Sequence, residues 1–250
     1  MRLATKLRNV FYSMPVVAAG EAAGLRIFSR GADPDFARGT YEFPIQEAIV
    51  SLLEPGNVFY DVGANIGFFS LIAARRVGSH GQVYAYEPVP RNAAAIRRSR
   101  DVNRLSTIQV FAEAVGAVTG DAELLLARHL GGATLANVST PPDVNGRLSV
   151  RTTTLDDSIA RYGLRPPTLV KIDVEGAEID VLRGMTAALT AYRPKVICEV
   201  DAATKSGLDH KAREIIGFLA TAGYAVSSLP AAYANDGWQV EHIVAQPMPT

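Results

Sequence analysis

Between residues 57 and 224, short apolar runs alternate four times with longer segments of helical spacing, and this beat limits the fold more than any other feature. "NVFYDV" precedes "NIGFFSLIAARRVG"; "GQVYAYEP" precedes "PRNAAAIRRSRDVNRL"; "TLVKIDV" precedes "EGAEIDVLRGMTAALTAY"; "PKVICEV" precedes "DHKAREIIGFLATAGY". Strand-length runs linked by helices of this length predict a parallel sheet covered on both faces. "TIQVFAEAV" reads as a further strand, and "AVSSL" and "EHIVAQP" as two last ones. "PIQEAIVSLLEPG" has helical spacing and is stopped by Pro55-Gly56. Between Gly116 and Thr154 the beat fails: "DAELLLAR" and "GRLSVRTTT" read as strands around a Gly-, Pro-, Ser- and Thr-rich loop. Ahead of Pro44, "MRLATKLRNVFYSM" suggests a helix and "LRIFSRGADPDFARGTYE" a strand fragment and loop.

A chain of 250 residues can bury one sizeable core. The expected organisation is an N-terminal extension, 1–43, packing on the core or the substrate site, followed by one domain over 44–250. Twenty-five basic residues balance twenty-five acidic ones, so no global charge draws the chain to nucleic acid or an anionic membrane. The single cysteine, Cys198, permits no intrachain disulfide and sits in an apolar strand as an inert thiol. The early apolar stretch is short and broken by Pro15, against a cleaved signal, and no run is long enough to span a bilayer. The expectation is a soluble, cytoplasmic protein.

The chemistry concentrates in "YDVGANIGFFS", Tyr60 to Ser70. Asp61 ends a strand, and ligands of open parallel sheets bind beyond the carboxyl ends of strands, where strand order reverses. Gly63 allows a sharp bend, Gly67 lets the first helical turn approach strand and ligand, and Asn65 tolerates left-handed geometry or caps the helix. A dinucleotide site would want G-x-G-x-x-G, and a phosphate loop G-x-x-x-x-G-K-[ST]; neither is present. A carboxylate beside the turn repels a pyrophosphate and suits a cationic amine. Glu87 closes the second strand, where an acid accepts both hydroxyls of a ribose. Together Asp61 and Glu87 select S-adenosylmethionine.

"VFYDVGANIGFFSLIAA", "VYAYEPVPRN", "TTLDD" and "LVKIDVEGAEIDVLRGM" resemble, in order and spacing, the FkbM family of S-adenosylmethionine-dependent methyltransferases, over about residues 40–245. The resemblance implies an α/β, Rossmann-like class I methyltransferase fold with a seven-stranded, mostly parallel sheet and helices on both faces. It also implies methyl transfer to a hydroxyl of a sugar, glycolipid or secondary metabolite. Asp61, Gly63, Ala64, Asn65, Gly67 and Glu87 would then hold the cofactor, and Glu113, after the third strand, would touch the adenine edge or remain a surface acid.

In "LVKIDVEGAEIDVLRGM", a strand ending at Asp173 is followed by a helix, and Glu175 and Glu178 fall on the stripe of Leu182, Met185 and Leu189 in its first turn, which gathers them with Asp173. Acids there suit a helix N-terminus. Asp173 is also placed to act as general base toward an attacking hydroxyl, with Glu175 and Glu178 holding acceptor hydroxyls. Asp173, Glu175 and Glu199 offer a third reading, oxygen ligands for a divalent metal, though no spacing selects one. Asn92 reads as first-turn helix chemistry. Arg91, Arg97, Arg98, Arg100 and Arg104 read as a solvated helix face, His129 as a loop residue and His242 as structural; Thr154 or Asp156 caps a helix. Two rivals stand beside the methyltransferase: a nicotinamide-dependent oxidoreductase, disfavoured by the missing third glycine, and a non-catalytic binding module of the same fold.

Overall fold

The computed structural model describes residues 14–29, 32–127, 133–135, 144–232 and 239–249. Two short helices, α1 (Pro34–Arg38) and α2 (Phe43–Leu52), lead into β1 (Val58–Val62), α3 (Phe68–Val77), β2 (Gln82–Tyr86), α4 (Pro90–Asn103) and β3 (Ile108–Phe111). A smaller sheet follows: β4 (Ala114–Val115), β5 (Gly120–Ala127), β6 (Ala133–Leu135) and β7 (Val144–Thr153). The chain then returns through α5 (Leu155–Tyr162), β8 (Leu169–Ile172), α6 (Glu178–Arg183), α7 (Thr186–Tyr192), β9 (Lys195–Ala202), α8 (Lys205–Thr221), β10 (Tyr224–Ser228) and β11 (Gln239–Pro247).

The main sheet has seven strands in the order β10-β11-β9-β8-β1-β2-β3. Only β11 runs antiparallel to its neighbours. From β1 the chain builds outward through β2 and β3, then returns to β8 on the other side of β1. The carboxyl ends of β1 and β8 therefore flank the switch point, where open α/β sheets hold ligands.

Alternation along the strands separates two cores. One face carries Val58, Tyr60, Val62, Val170, Ile172, Val196 and Cys198, packed under α5 to α8. The other carries Phe59, Val83, Ala85, Leu169, Ile197 and Val244, packed under α2 to α4. Val17, Ala22, Ile27 and Phe36 of the N-terminal segment are buried in this second core. Hydrogen bonds fix the segment there: Gln46 Nε2 donates to the carbonyls of Gly39 and Tyr41 at 3.0 and 2.6 Å, and Asn103 exchanges hydrogen bonds with the Arg26 backbone at 2.9 and 2.6 Å. Among the described residues, no helix is long and apolar enough to cross a membrane.

Several expected elements differ in detail. "TIQVFAEAV" is two strands, because the chain leaves the main sheet after Phe111 and β4 pairs with β7 of the small sheet. The long helix expected over "EGAEIDVLRGMTAALTAY" is two, α6 and α7, broken at Gly184–Met185. The break has a packing cause: a Cβ on Gly184 would lie 2.1 Å from the Gly116 carbonyl oxygen. Asp156 accepts hydrogen bonds from the Ala187 and Ala188 amides at 2.9 and 2.8 Å and so caps α7, while Thr154 caps its own helix through the Asp157 amide at 2.9 Å. "LRIFSR" forms only an isolated bridge, Val16 to Arg26. The expected first helix over residues 1–13, and His129, lie outside the described residues.

Gly63 is irreplaceable for two separate reasons. Its φ is 79°, and a Cβ there would stand 1.7 Å from the Asp173 carbonyl oxygen, whereas Gly56 has a similar φ of 86° with nothing within 4 Å. Gly63→Ala is therefore expected to destabilise the fold by about 3 kcal/mol or more, and Gly56→Ala by only about 1–2 kcal/mol. Urea denaturation of the two variants side by side measures the difference; equal losses would mean that the contact with β8 carries no weight.

Candidate active site

The turn from Val62 to Phe68 is built by its backbone. Gly63 and Ala64 both donate to the Tyr86 carbonyl, at 3.1 and 3.0 Å, which ties the end of β1 to the end of β2. Asn65 adopts a left-handed φ of 50°. Its amide donates to Glu87 Oε2 at 2.9 Å, while Glu87 Oε1 accepts the Val89 amide at 2.8 Å. Asn92 Nδ2 sits 3.5 Å from both Glu87 Oε1 and Asn65 Oδ1, so this residue joins the cluster instead of serving only its own helix. Gly67 is left-handed as well, but the side chain pressing on it is Ile96 of α4, 2.9 Å from a built Cβ. The close approach expected there is thus to a neighbouring helix.

Asp61 lies beneath the turn with no exposed surface. Ser70 Oγ donates to its Oδ2 at 2.5 Å, and its Oδ1 is sealed from solvent with no hydrogen-bond partner among the described residues. Burial pushes the Asp61 carboxyl upward, opposed by Lys171 and by Ser70. Asp61 therefore stands behind the turn, with no face open to solvent.

Lys171 is the residue that motif reasoning missed. It is paired with Asp61 across the β1–β8 ladder and is 2% exposed. Its Nζ lies 2.7 Å from Asp173 Oδ2 and 4.9 Å from the Phe69 ring centroid. Burial works against the ammonium, but Asp173, Asp61 and Glu42 outweigh it and hold its pKa above the ordinary value. The signal was available in the sequence: a lysine in the middle of an apolar buried strand, "LVKID", requires a partner.

The second motif departs from the expected geometry. Glu175 does not begin a helix; it stands in the loop at a left-handed φ of 58°, followed by Gly176 at 105°. Glu178 is the first residue of α6, buried, and its Oε1 accepts the Gly176 amide at 2.7 Å. Burial, then the charges of Asp173, Asp201, Glu199 and Glu178, push Glu175 up to about 9. Burial and Asp201 push Glu178 up to about 7. Asp173 is held against Lys171, its Oδ2 2.7 Å from Nζ.

Glu113 follows β3; the Tyr162 hydroxyl donates to its Oε1 at 3.3 Å, and its Oε2 is buried without a hydrogen-bond partner among the described residues. Tyr162 also lies against Phe111, ring centroids 5.1 Å apart. On the opposite flank, Leu124, Leu126, Leu148 and Val150 of the small sheet pack against Val89, Val174 and Ala177, the loops that follow β2 and β8. The small sheet is thus a wall beside the crevice.

The fold is that of a class I methyltransferase. A solved FkbM methyltransferase from Methylobacillus flagellatus KT superposes with a TM-score of 0.52 at 21% identity, covering 78% of this chain and 45% of that one. The Methyltransferase FkbM domain family matches residues 61–226, and the chain belongs to it. It is 32% identical over 201 residues to the 31-O-demethyl-FK506 methyltransferase FkbM of Streptomyces tacrolimicus, covering 70% of this chain and 75% of that one. It is 29% identical over 169 residues to the hexuronic acid methyltransferase AglP of Haloferax volcanii, covering 66% and 64% respectively.

Burial also pushes the Glu87 carboxyl up to about 8, opposed by the Val89 and Asn65 amides and by Asn92. An unfolded glutamate titrates near 4.3, so between about pH 5 and 8 the folded chain holds a proton that the unfolded chain has lost. Stability should fall as pH rises through that window, by up to about 1.4 kcal/mol per unit for each such group. Glu87→Gln should flatten the fall, measured by urea denaturation at about pH 5.5 and about pH 7.5. An unchanged slope would assign the dependence to other groups.

Proposed function

We propose that this chain transfers a methyl group from S-adenosylmethionine to a hydroxyl of a sugar or a similarly hydroxylated small molecule. The observation that carries the reading is the turn closed by Glu87 at the switch point, with carboxylates rather than a phosphate-binding loop around it. Glu87 has both oxygens on backbone amides, which fixes its plane toward a ribose, and Oε2, which accepts the Asn65 amide, keeps a further acceptor position for a hydroxyl. Asp61 supplies negative charge behind the turn toward the cationic end of the ligand, and Gly63, Ala64, Asn65 and Gly67 shape the surface against it. Glu113, with its buried Oε2 beside Tyr162 and Phe111, suits the amino edge of an adenine.

S-adenosylmethionine supplies a methyl group on a sulfonium; as the acceptor oxygen bonds to the methyl carbon, the carbon–sulfur pair stays on sulfur and the hydroxyl proton must leave. Asp173 is the residue to take that proton, because Lys171 Nζ, 2.7 Å away, fixes its carboxylate in place. Glu175, pushed up to about 9, holds a proton near neutral pH and serves the acceptor as a hydrogen-bond donor, and Glu178 holds an acceptor hydroxyl beside it. One relative, named as a 31-O-demethyl-FK506 methyltransferase, supports an oxygen acceptor, and another, named for a hexuronic acid, supports a sugar acid as the acceptor. The wall formed by the small sheet and the N-terminal segment on the other core are the surfaces that would select it.

Calorimetric titration with S-adenosylmethionine and S-adenosylhomocysteine tests the cofactor. Binding in the micromolar range, weakened about 10-fold or more in Glu87→Ala, is expected; unchanged affinity in a folded variant removes Glu87 from the ribose role. With an acceptor found in a panel of uronic acids and other sugars, Asp173→Asn should slow turnover about 100-fold or more and leave cofactor affinity within a few-fold. Intact turnover would show that another group takes the proton.

A further inference from the structure

On the face of the sheet covered by α2 to α4, the polar row that begins with Asp61 and Lys171 continues outward. His242 of β11 is the cross-strand partner of Glu199 of β9. Glu42, the residue immediately before α2, reaches the same point from above, set there by a left-handed φ of 43° and ψ of 56°. His242 Nε2 lies 2.8 Å from Glu199 Oε2 and 3.6 Å from Glu42 Oε2. The three side chains are 2%, 15% and 1% exposed. Among the described residues, they are the group of three whose ligand atoms converge, all within 4.8 Å of one another.

We propose that Glu42, Glu199 and His242 bind one divalent transition-metal ion, of the Mn²⁺, Co²⁺ or Zn²⁺ kind, through one imidazole nitrogen and two carboxylate oxygens. This goes beyond the methyl-transfer reading and does not depend on it.

Spacing supports the site. Ligand atoms about 2.1 Å from a shared ion stand about 3.0 Å apart at right angles and about 3.4 Å apart at tetrahedral angles. The 2.8 and 3.6 Å from Nε2 bracket those values, and all three ligand atoms lie within 4.8 Å of one another. Charge agrees with it: a dication beside two carboxylates is compensated within the site, which a buried ion requires.

The donor set decides the kind of ion. Mg²⁺ and Ca²⁺ favour oxygen ligands alone, while an imidazole with two carboxylates suits Mn²⁺, Fe²⁺, Co²⁺ or Zn²⁺. The set expected from the sequence, Asp173, Glu175 and Glu199, is not the one that converges. Glu175 leaves the strand register in its left-handed loop, and Glu199 turns instead to Glu42 and His242. Because Glu42 immediately precedes α2 and the other two belong to the sheet, the ion would also clamp the N-terminal segment over this core.

The test uses the full chain after dialysis against a chelator, titrated calorimetrically with MnCl₂, CoCl₂ and ZnCl₂. One ion per chain, at micromolar affinity or tighter, is expected from at least one of the three. His242→Asn and Glu42→Gln should each weaken it about 10-fold or more, and Glu175→Gln should leave it within about two-fold. Electron spin-echo modulation of the Mn²⁺-loaded wild-type chain should show a directly bound imidazole nitrogen, a readout that needs no variant. Failure of all three ions to bind the folded chain at about 1 mM overturns the proposal. So does a bound ion without nitrogen coupling, or affinity retained by folded His242→Asn.

Discussion

A single buried ammonium group holds the centre of this protein together. Lys171 stands in the middle of β8, with Asp61 beside it on β1 and Asp173 at the end of its own strand. Without that charge, two carboxylates would face one core with no cation between them, a loss of about 3–5 kcal/mol for a broken buried pair. With it, an acidic cluster can exist under an apolar helix layer, and the loop after β8 starts from a fixed point. That loop's carbonyl at Asp173 in turn forbids any side chain at position 63. Stability and site geometry thus meet in one ion pair.

The two sides of the sheet divide the labour. The face under α5 to α8 is almost wholly apolar and supplies much of the burial that drives folding. The opposite face carries apolar residues along most of each strand and switches to Asp61, Lys171, Glu199 and His242 toward the edge where β1, β8 and β9 end. The period of two along each strand puts them on one side, and the strand order lines them up across β1, β8, β9 and β11. Helix α2 and the segment before it close this side, which is why Glu42, far from the motifs in sequence, joins the row.

Much of the fold was legible because it rests on local pattern. Apolar runs bounded by turns marked β1, β2, β8 and β9, and Pro90 marked the start of α4. The errors fell where tertiary contact overrides local preference. The helix expected from Glu175 to Tyr192 breaks because Gly184 must pass the Gly116 carbonyl, and Asp156, from another helix, caps the second half. The strand through Ala112 and Glu113 divides because its halves join different sheets.

The sequence by itself determined the strand–helix alternation, the acid at the end of each key strand, and the glycine turn, since each depends on residue type and spacing along the chain. It pointed to Asp61, Glu87, Asp173 and Glu178 as chemistry worth placing. Only the tertiary structure decided what those groups face. Glu87 spends both oxygens on its own turn, Glu175 stands apart in a left-handed loop, Asp173 leans on Lys171, and Glu199 meets His242 and Glu42. The reason is physical: a carboxylate's behaviour depends on burial and on neighbours within a few ångströms, and those neighbours come from strands and helices remote along the chain.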